Sequence, residues 1–261
     1  MAVVTLTTDF GLEDAYVGQV KGAILSVCPG ASLVDLTHAI PPQDVRRAAV
    51  VVARSAGRFP AGTVHLAVVD PGVGTQRRAL AVRSNEQLFV APDNGLLTPV
   101  LQADPRAKVR LLSNQAFLSP TISPTFHGRD VFAPAAGHLA RGLPLNRLGP
   151  RVVDPVLLKL ARPAWSRGRL RGKVLFVDHF GNLITNLPAD KILGAPSSGS
   201  PGFRLGQKTL PGLHLTYAEV DEGQPLALIG SLDLVEIAVN QGRADEYFGV
   251  GEGAAVEVVW E

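Results

Sequence analysis

A proline-dense stretch divides this chain into two kinds of pattern. Pro144, Pro150, Pro155 and Pro163 fall between Leu143 and Trp165 without a clear period, which breaks helix and strand alike. Before it, apolar strands alternate with helical runs; after it, the segments are short, strand-like and separated by turns. The alternation predicts an α/β sandwich with a mostly parallel central sheet, and the strand-only half predicts a smaller all-β barrel. The expected division is an N-terminal α/β domain over 1–150, a linker over 151–166 and a C-terminal β-barrel over 167–261. With 261 residues, 46% of them hydrophobic, the chain can bury sizeable cores.

In the first half, the β-branched run over residues 2–8 reads as a buried strand that delivers Asp9 at its carboxyl end. Val17, Val20, Ile24 and Val27 then recur at helical spacing up to Pro29-Gly30. Residues 32–36 read as a second strand, Asp44 as the cap of a helix from Val45 to about Arg54, and residues 64–69 as a third strand with a packed His65. That strand runs into Asp70-Pro71-Gly72-Val73-Gly74-Thr75-Gln76-Arg77-Arg78. Residues 79–83 and 87–91 form a predicted hairpin, 92–97 a polar turn feeding a short helix, and 109–112 a further strand. A proline-punctuated loop over 119–126 delivers His127-Gly128-Arg129-Asp130 ahead of a helix from about Val131 to Ala140. Beyond the linker, strands are expected at 172–177, 183–186, 207–210, 226–229, 234–240 and 255–260, with a flexible loop at 194–202.

Charge and composition narrow the function. Twenty-five Lys and Arg against 23 Asp and Glu leave a formal charge of +2, and no basic run carries interleaved aromatics, so no nucleic-acid partner is expected. The single cysteine, Cys28, lies in a helical apolar pattern and reads as a buried thiol. Residues 1–10 lack the basic start of a signal peptide, and no apolar run approaches a membrane span, so the expectation is a soluble cytoplasmic protein without a membrane partner.

Familiar catalytic templates are missing. The sequence has no Gly-x-Ser-x-Gly elbow, no Cys-x-x-Cys, no His-Glu-x-x-His and no calcium loop. Asp178-His179 has no second pair at ligand spacing nearby, so no metal site is expected. Pro71 to Thr75 is compatible with two readings: an anion cradle of backbone N–H groups, or a tight turn that aims Asp70 and Arg77. What remains is a set of polar residues at element ends, namely Asp9, Asp70, Arg77, His127, Asp178, Asn182 and Ser231. Each suits a cap or turn as well as a site.

Taken in order, these segments form a recognisable series. Thr8-Asp9-Phe10-Gly11, Val69 to Thr75, Ala91 to Leu97, Phe126 to Asp130, Asp178-His179-Phe180-Gly181-Asn182 and Glu236 to Asn240 resemble the S-adenosylmethionine hydroxide adenosyltransferase family across nearly the whole chain. Those enzymes hydrolyse S-adenosylmethionine to adenosine and methionine and are related to the fluorinase and chlorinase. The resemblance implies that Asp70, Arg77 and His127 form an Asp-Arg-His triad around the attacking water and that Asp9 holds the ribose hydroxyls. It further implies that Asn182 reads the adenine edge, Asp178 the methionine amino group and Ser231 its carboxylate. Phe180, Glu236 and the backbone near Asn240 would complete the pocket. No cofactor is implied, S-adenosylmethionine being the substrate, and the implied assembly is a homotrimer with sites at subunit interfaces.

The halogenating relatives carry a tyrosine where Asp70 stands and Tyr-Ser or Tyr-Gly where His127-Gly128 stands, so this chain sides with the hydrolases. It departs after Ser231, where the fluorinase has an arginine and this chain has Leu232. The alternatives are a halide transferase of the chlorinase kind and a non-catalytic sensor of adenosine or S-adenosylmethionine.

Overall fold

The structure, a computed structural model, describes residues 2–195 and 199–260. The chain forms two compact units, 1–159 and 160–261. The loop expected at 194–202 includes residues 196–198, which lie outside the described residues.

The first unit is built on a six-stranded sheet. Its strands are β1 (Val3–Thr8), β2 (Ser32–Thr37), β3 (Val64–Val68), β4 (Ala79–Ser84), β5 (Gln87–Pro92) and β6 (Lys108–Leu111). They lie in the order β2-β1-β3-β5-β4-β6. The pairings β2-β1, β1-β3 and β3-β5 are parallel, and those of β4 with β5 and β6 are antiparallel. The sheet is therefore mixed, with its parallel part centred on β1 and β3.

Helices cover both faces, as buried parallel strands require. α1 (Tyr16–Val27) and α4 (Ala133–Ala140) pack Val20, Ile24, Ala136 and Leu139 against Val4, Leu6, Leu66 and Val68. α2 (Val45–Ala56) and α3 (Thr98–Ala103) pack Ala48, Val52 and Val100 against Ala67, Val69 and Val82. β3 thus sends alternate side chains into two separate cores, and all five of its residues are buried. Asp44 caps α2 by accepting from Arg47 N at 2.9 Å. Cys28 is buried at the end of α1, and His65 is buried on β3, as expected.

Residues 150–159 run back across this first unit. Val152 N donates to Val109 O at 3.1 Å, Val156 N to Asp93 Oδ1 at 2.8 Å and Leu158 N to Thr98 Oγ1 at 2.8 Å.

The second unit is an eight-stranded antiparallel sheet that curls into a nearly closed barrel. It comprises β7 (Ala164–Ser166), β8 (Arg169–Val177), β9 (Leu183–Pro188), β10 (Pro201–Leu205), β11 (Lys208–Pro211), β12 (Pro225–Ile229), β13 (Leu234–Val239) and β14 (Ala255–Trp260). Short helices α5 (Ala189–Leu193) and α6 (Ala244–Phe248) complete it. The order is β11-β10-β14-β8-β9-β13-β12, with β7 added beside β8. His214, just past β11, donates its N–H to Ala227 O of β12 at 2.8 Å and draws the two ends of the sheet together. Leu170, Val174, Leu183, Phe203, Ile237 and Val256 fill the interior.

No described helix is long and apolar enough to cross a membrane.

Candidate functional site

Parallel pairing brings two sequence-distant acids to one sheet edge. Thr8 of β1 sits opposite Val68 of β3, so Asp9 and Asp70 both follow at the carboxyl ends of adjacent strands, where α/β sheets bind ligands. The turn after β3 then folds back on itself. Val73 N donates to Asp70 O and Thr75 N to Gly72 O, both at 3.2 Å, and Thr75 Oγ1 donates to Gly72 O at 2.7 Å. Two of the turn's amides, those of Val73 and Thr75, are thereby committed inside it, which favours the aiming turn over an anion cradle.

That turn points Arg77 at Asp70. Arg77 Nε donates to Asp70 Oδ1 and Oδ2, each at 2.9 Å, and Nη2 closes a further contact with Oδ2. Their side chains are only 10% and 5% exposed, so the pair is held away from bulk water. Arg77 Nη2 also donates to His127 Nδ1 at 3.0 Å, and the guanidinium lies 5.0 Å from the ring centre of buried Phe132. Because a guanidinium only donates, Nδ1 is the accepting nitrogen and the imidazole carries its proton on Nε2. Burial first, and the Arg77 charge second, hold His127 below its ordinary pKa, against the opposing pull of Asp70 and Asp130.

His127 owes its position to the loop ahead of it. Ser123 N donates to Asp130 Oδ2 at 2.8 Å and Ser119 N to Asp130 O at 2.9 Å, so the loop wraps around one acid. The helix expected from Val131 in fact begins earlier, as a wide π-type turn over Gly128–Phe132 that continues into α4. Such turns recur at functional positions. Gly74, at φ +76°, has its α-carbon against this loop: a Cβ there would stand 2.5 Å from Pro124 O. The turn carrying Arg77 and the loop carrying His127 are thereby keyed together.

The adjacent arginine serves another purpose. Arg78 donates from Nε to Asp93 Oδ2 at 2.7 Å, and from Nη1 and Nη2 to Asp154 Oδ1 and O at 2.8 and 2.6 Å. Asp9 lies nearer solvent and accepts from Gln43 N at 2.8 Å.

The barrel holds the remaining predicted residues. Asp178 Oδ1 accepts from Phe180 N and Asn182 N, each at 2.9 Å, which winds the β8–β9 turn around one carboxylate. Phe180, Asn182 and Asn240, with Tyr217 and Arg243, line a cleft of about 520 Å³. Asn240 is tied down at N by Gln224 O, at O by Gly223 N and at Nδ2 by Val220 O. Glu236 is 5% exposed and accepts from the Tyr217 hydroxyl at 2.5 Å. Ser231 is exposed on the β12–β13 turn and does not line the cleft. Tyr217 and Arg243 are cleft residues that sequence reasoning missed. Tyr217 lies in an irregular segment whose only signal is an aromatic beside acids.

Among the described residues, no group of three or more His, Cys, Asp or Glu side chains is placed to hold a metal ion.

Comparison with known proteins matches both units. Residues 4–149 fit the SAM hydroxide adenosyltransferase N-terminal domain, and residues 172–257 the C-terminal domain of the same name. The chain is 45% identical to an (R)-S-adenosyl-L-methionine hydrolase of Thermus thermophilus, covering 99% of this chain and 100% of that protein. Identity to a fluorinase of Actinoplanes is 30%, over 98% and 97%. A conserved protein of Thermotoga maritima with a solved crystal structure superposes with a TM-score of 0.91 at 40% identity, covering 98% and 99% of the two chains.

Proposed function

Because the chain belongs to the SAM hydroxide adenosyltransferase family, we propose that it hydrolyses S-adenosyl-L-methionine to adenosine and L-methionine by attack of water at the ribose C5′. The observation that carries this reading is the single guanidinium of Arg77 shared between Asp70 and His127. The names of its relatives agree, the hydrolase being more similar than the fluorinase.

The chemistry asks little of a general acid. As the water oxygen bonds to C5′, the carbon–sulfur pair stays on sulfur, a neutral thioether leaves without needing a proton, and one water proton passes to solvent. The site's task is to hold the water in line and to favour hydroxide character as it develops. Arg77 supplies the positive charge, while Asp70 and the Nε2–H of His127 orient the water. With His127 Nδ1 engaged by Arg77, electrostatic stabilisation rather than proton abstraction by the imidazole is the triad's contribution.

Asp9 holds the ribose hydroxyls, Asn182 the adenine edge, Asp178 the methionine amino group and Ser231 its carboxylate, with Phe180, Glu236 and Asn240 completing the pocket. No cofactor takes part. The setting is a cytoplasmic homotrimer with its sites at subunit interfaces.

Asp70 also bears on the alternative nucleophile. A halide arriving beside a carboxylate meets a like charge that water does not. The test is to incubate the purified protein with S-adenosyl-L-methionine, with and without chloride, and to separate the products by chromatography. Adenosine in both samples is expected. 5′-Chloroadenosine would establish the halide transferase instead, and release of neither nucleoside, with calorimetric binding of S-adenosyl-L-methionine or adenosine retained, would establish a sensor.

A further inference from the structure

Glu236 stands out in the barrel because its surroundings do not suit a carboxylate. It occupies the middle of β13, a strand whose six residues are all buried, and its cross-strand neighbours are Leu228 and Ile184. A carboxyl there forfeits hydration unless something hydrogen-bonds to it. The fold provides two things. The Tyr217 hydroxyl donates to Oε1, and Gly230 leaves room for Oε2, since a Cβ at 230 would stand 2.3 Å from that oxygen.

The donor belongs to a side chain with a different outlook. Tyr217 lines the cleft beside Phe180 and Asn182, and its residue is 43% exposed. It sits in a single 3₁₀ turn, Tyr217–Glu219, within an irregular segment. A half-exposed aromatic on such a segment is free to swing unless its far end is anchored, and fixing a ring before binding lowers the cost of ordering it when a ligand arrives. Glu236 anchors that end from inside the barrel wall.

We propose that Glu236 is a positioning residue that acts through Tyr217, locking the Tyr217 ring as a wall of the barrel cleft against which a planar nucleoside base is held. The proposal rests on the function given above for its choice of ligand. It changes the part of Glu236 from a group that touches substrate to one that orders a residue which does. Burial and the nearby Asp178 charge raise the Glu236 pKa while the Tyr217 bond lowers it, consistent with a carboxyl that depends on this one donor.

The chain has three tyrosines, so labelling the full-length protein with 3-fluorotyrosine gives three fluorine resonances. Tyr217→Phe identifies the Tyr217 resonance by its loss. Glu236→Ala is expected to move that resonance and leave those of Tyr16 and Tyr247 in place, which also shows that the variant is folded. Glu236→Gln, which keeps an acceptor oxygen, is expected to restore it. In adenosine titrations by calorimetry, Glu236→Ala and Tyr217→Phe should each weaken binding about fivefold, the worth of one hydrogen bond, and the double variant by the same about fivefold rather than more. Losses that multiply in the double variant, or a Glu236→Ala loss with an unmoved Tyr217 resonance, would overturn the proposal. Should Glu236→Ala fail to fold, Tyr217→Phe decides it, with unchanged adenosine affinity as the overturning result. A wild-type chain that binds no adenosine would sink the proposed function, while the fluorine resonances would still decide the Tyr217–Glu236 coupling.

Discussion

Arg77 Nη2 donates to His127 Nδ1 at 3.0 Å, a bond that exists only while the imidazole is neutral. Burial and the Arg77 charge keep it neutral by lowering its pKa from the usual 6.5. A group whose folded pKa is lowered in this way loses its contribution as pH falls through that value. Turnover should therefore hold constant from about pH 8 down to about 6.5 and decline below it, the ordinary histidine range marking the upper bound. A kcat profile over pH 4–9 checks this. An acid limb beginning well above 6.5 would contradict the neutral, bond-accepting imidazole.

Arg77 contacts two partners from one planar fork, which an ammonium cannot imitate. Arg77→Lys should cost roughly 10²-fold or more in kcat, the scale of one lost electrostatic donor, with a much smaller change in adenosine affinity. Asp70→Ala and His127→Ala should each fall by a similar roughly 10²-fold. Chromatographic assay of adenosine formation at saturating substrate measures it, and near-normal turnover in any of the three would reject the triad.

Gly74 answers two constraints at once, a left-handed backbone and contact with Pro124 O. Gly74→Ala should destabilise the first unit by about 1–3 kcal/mol and reduce turnover, because the turn holding Arg77 and the loop holding His127 are forced apart. Thermal melting and the adenosine assay read the two effects. A variant that loses neither would show that this contact is not needed.

Asp9 combines a bond to Gln43 N with a place at the sheet edge beside Asp70. Asp9→Ala should weaken adenosine binding about tenfold, as expected for loss of charge-assisted bonds to the ribose hydroxyls. Calorimetry is the measurement, and unchanged affinity would remove Asp9 from the ribose site.

His65 makes a separate prediction about stability. It is 1% exposed, bonded through Nδ1 to Thr5 Oγ1 at 2.8 Å and stacked on Phe89. Burial pushes its pKa down to about 4, with Gln87 pulling weakly the other way. Between about 6.5 and about 4 the unfolded chain binds the proton and the folded chain does not, so stability is full above that window and falls by about 3 kcal/mol as pH drops through it. Urea unfolding at the two ends, compared with the same pair for His65→Gln, isolates this group. Equal losses in the two proteins would exclude it.

The first unit was legible in the sequence because its signals are local. The period of Val17, Val20 and Ile24 and the cap at Asp44 all specify elements without reference to the rest of the chain. The meeting of Asp70 with Arg77 was legible too, being a matter of one short turn. His127 is different: its approach depends on Asp130 gathering residues 119–123 and on an early π-type turn, neither of which has a period. In the barrel, β10 begins with Pro201-Gly202 and so reads as loop; pairing with β11 and β14 makes it a strand. Tyr217 escaped notice because its partner Glu236 lies 19 positions away on another element.

The neighbours Arg77 and Arg78 divide between Asp70 on one side and Asp93 with Asp154 on the other. Their side chains are told apart only by how many residues separate them from the last position of β3. A single deletion within 71–76 would bring Arg78 to the place of Arg77 and an insertion would bring Gln76 there, so either change takes the native partner from Asp70. The length of this turn, more than the identity of its middle residues, is therefore what assigns one arginine to the site and the other to the scaffold.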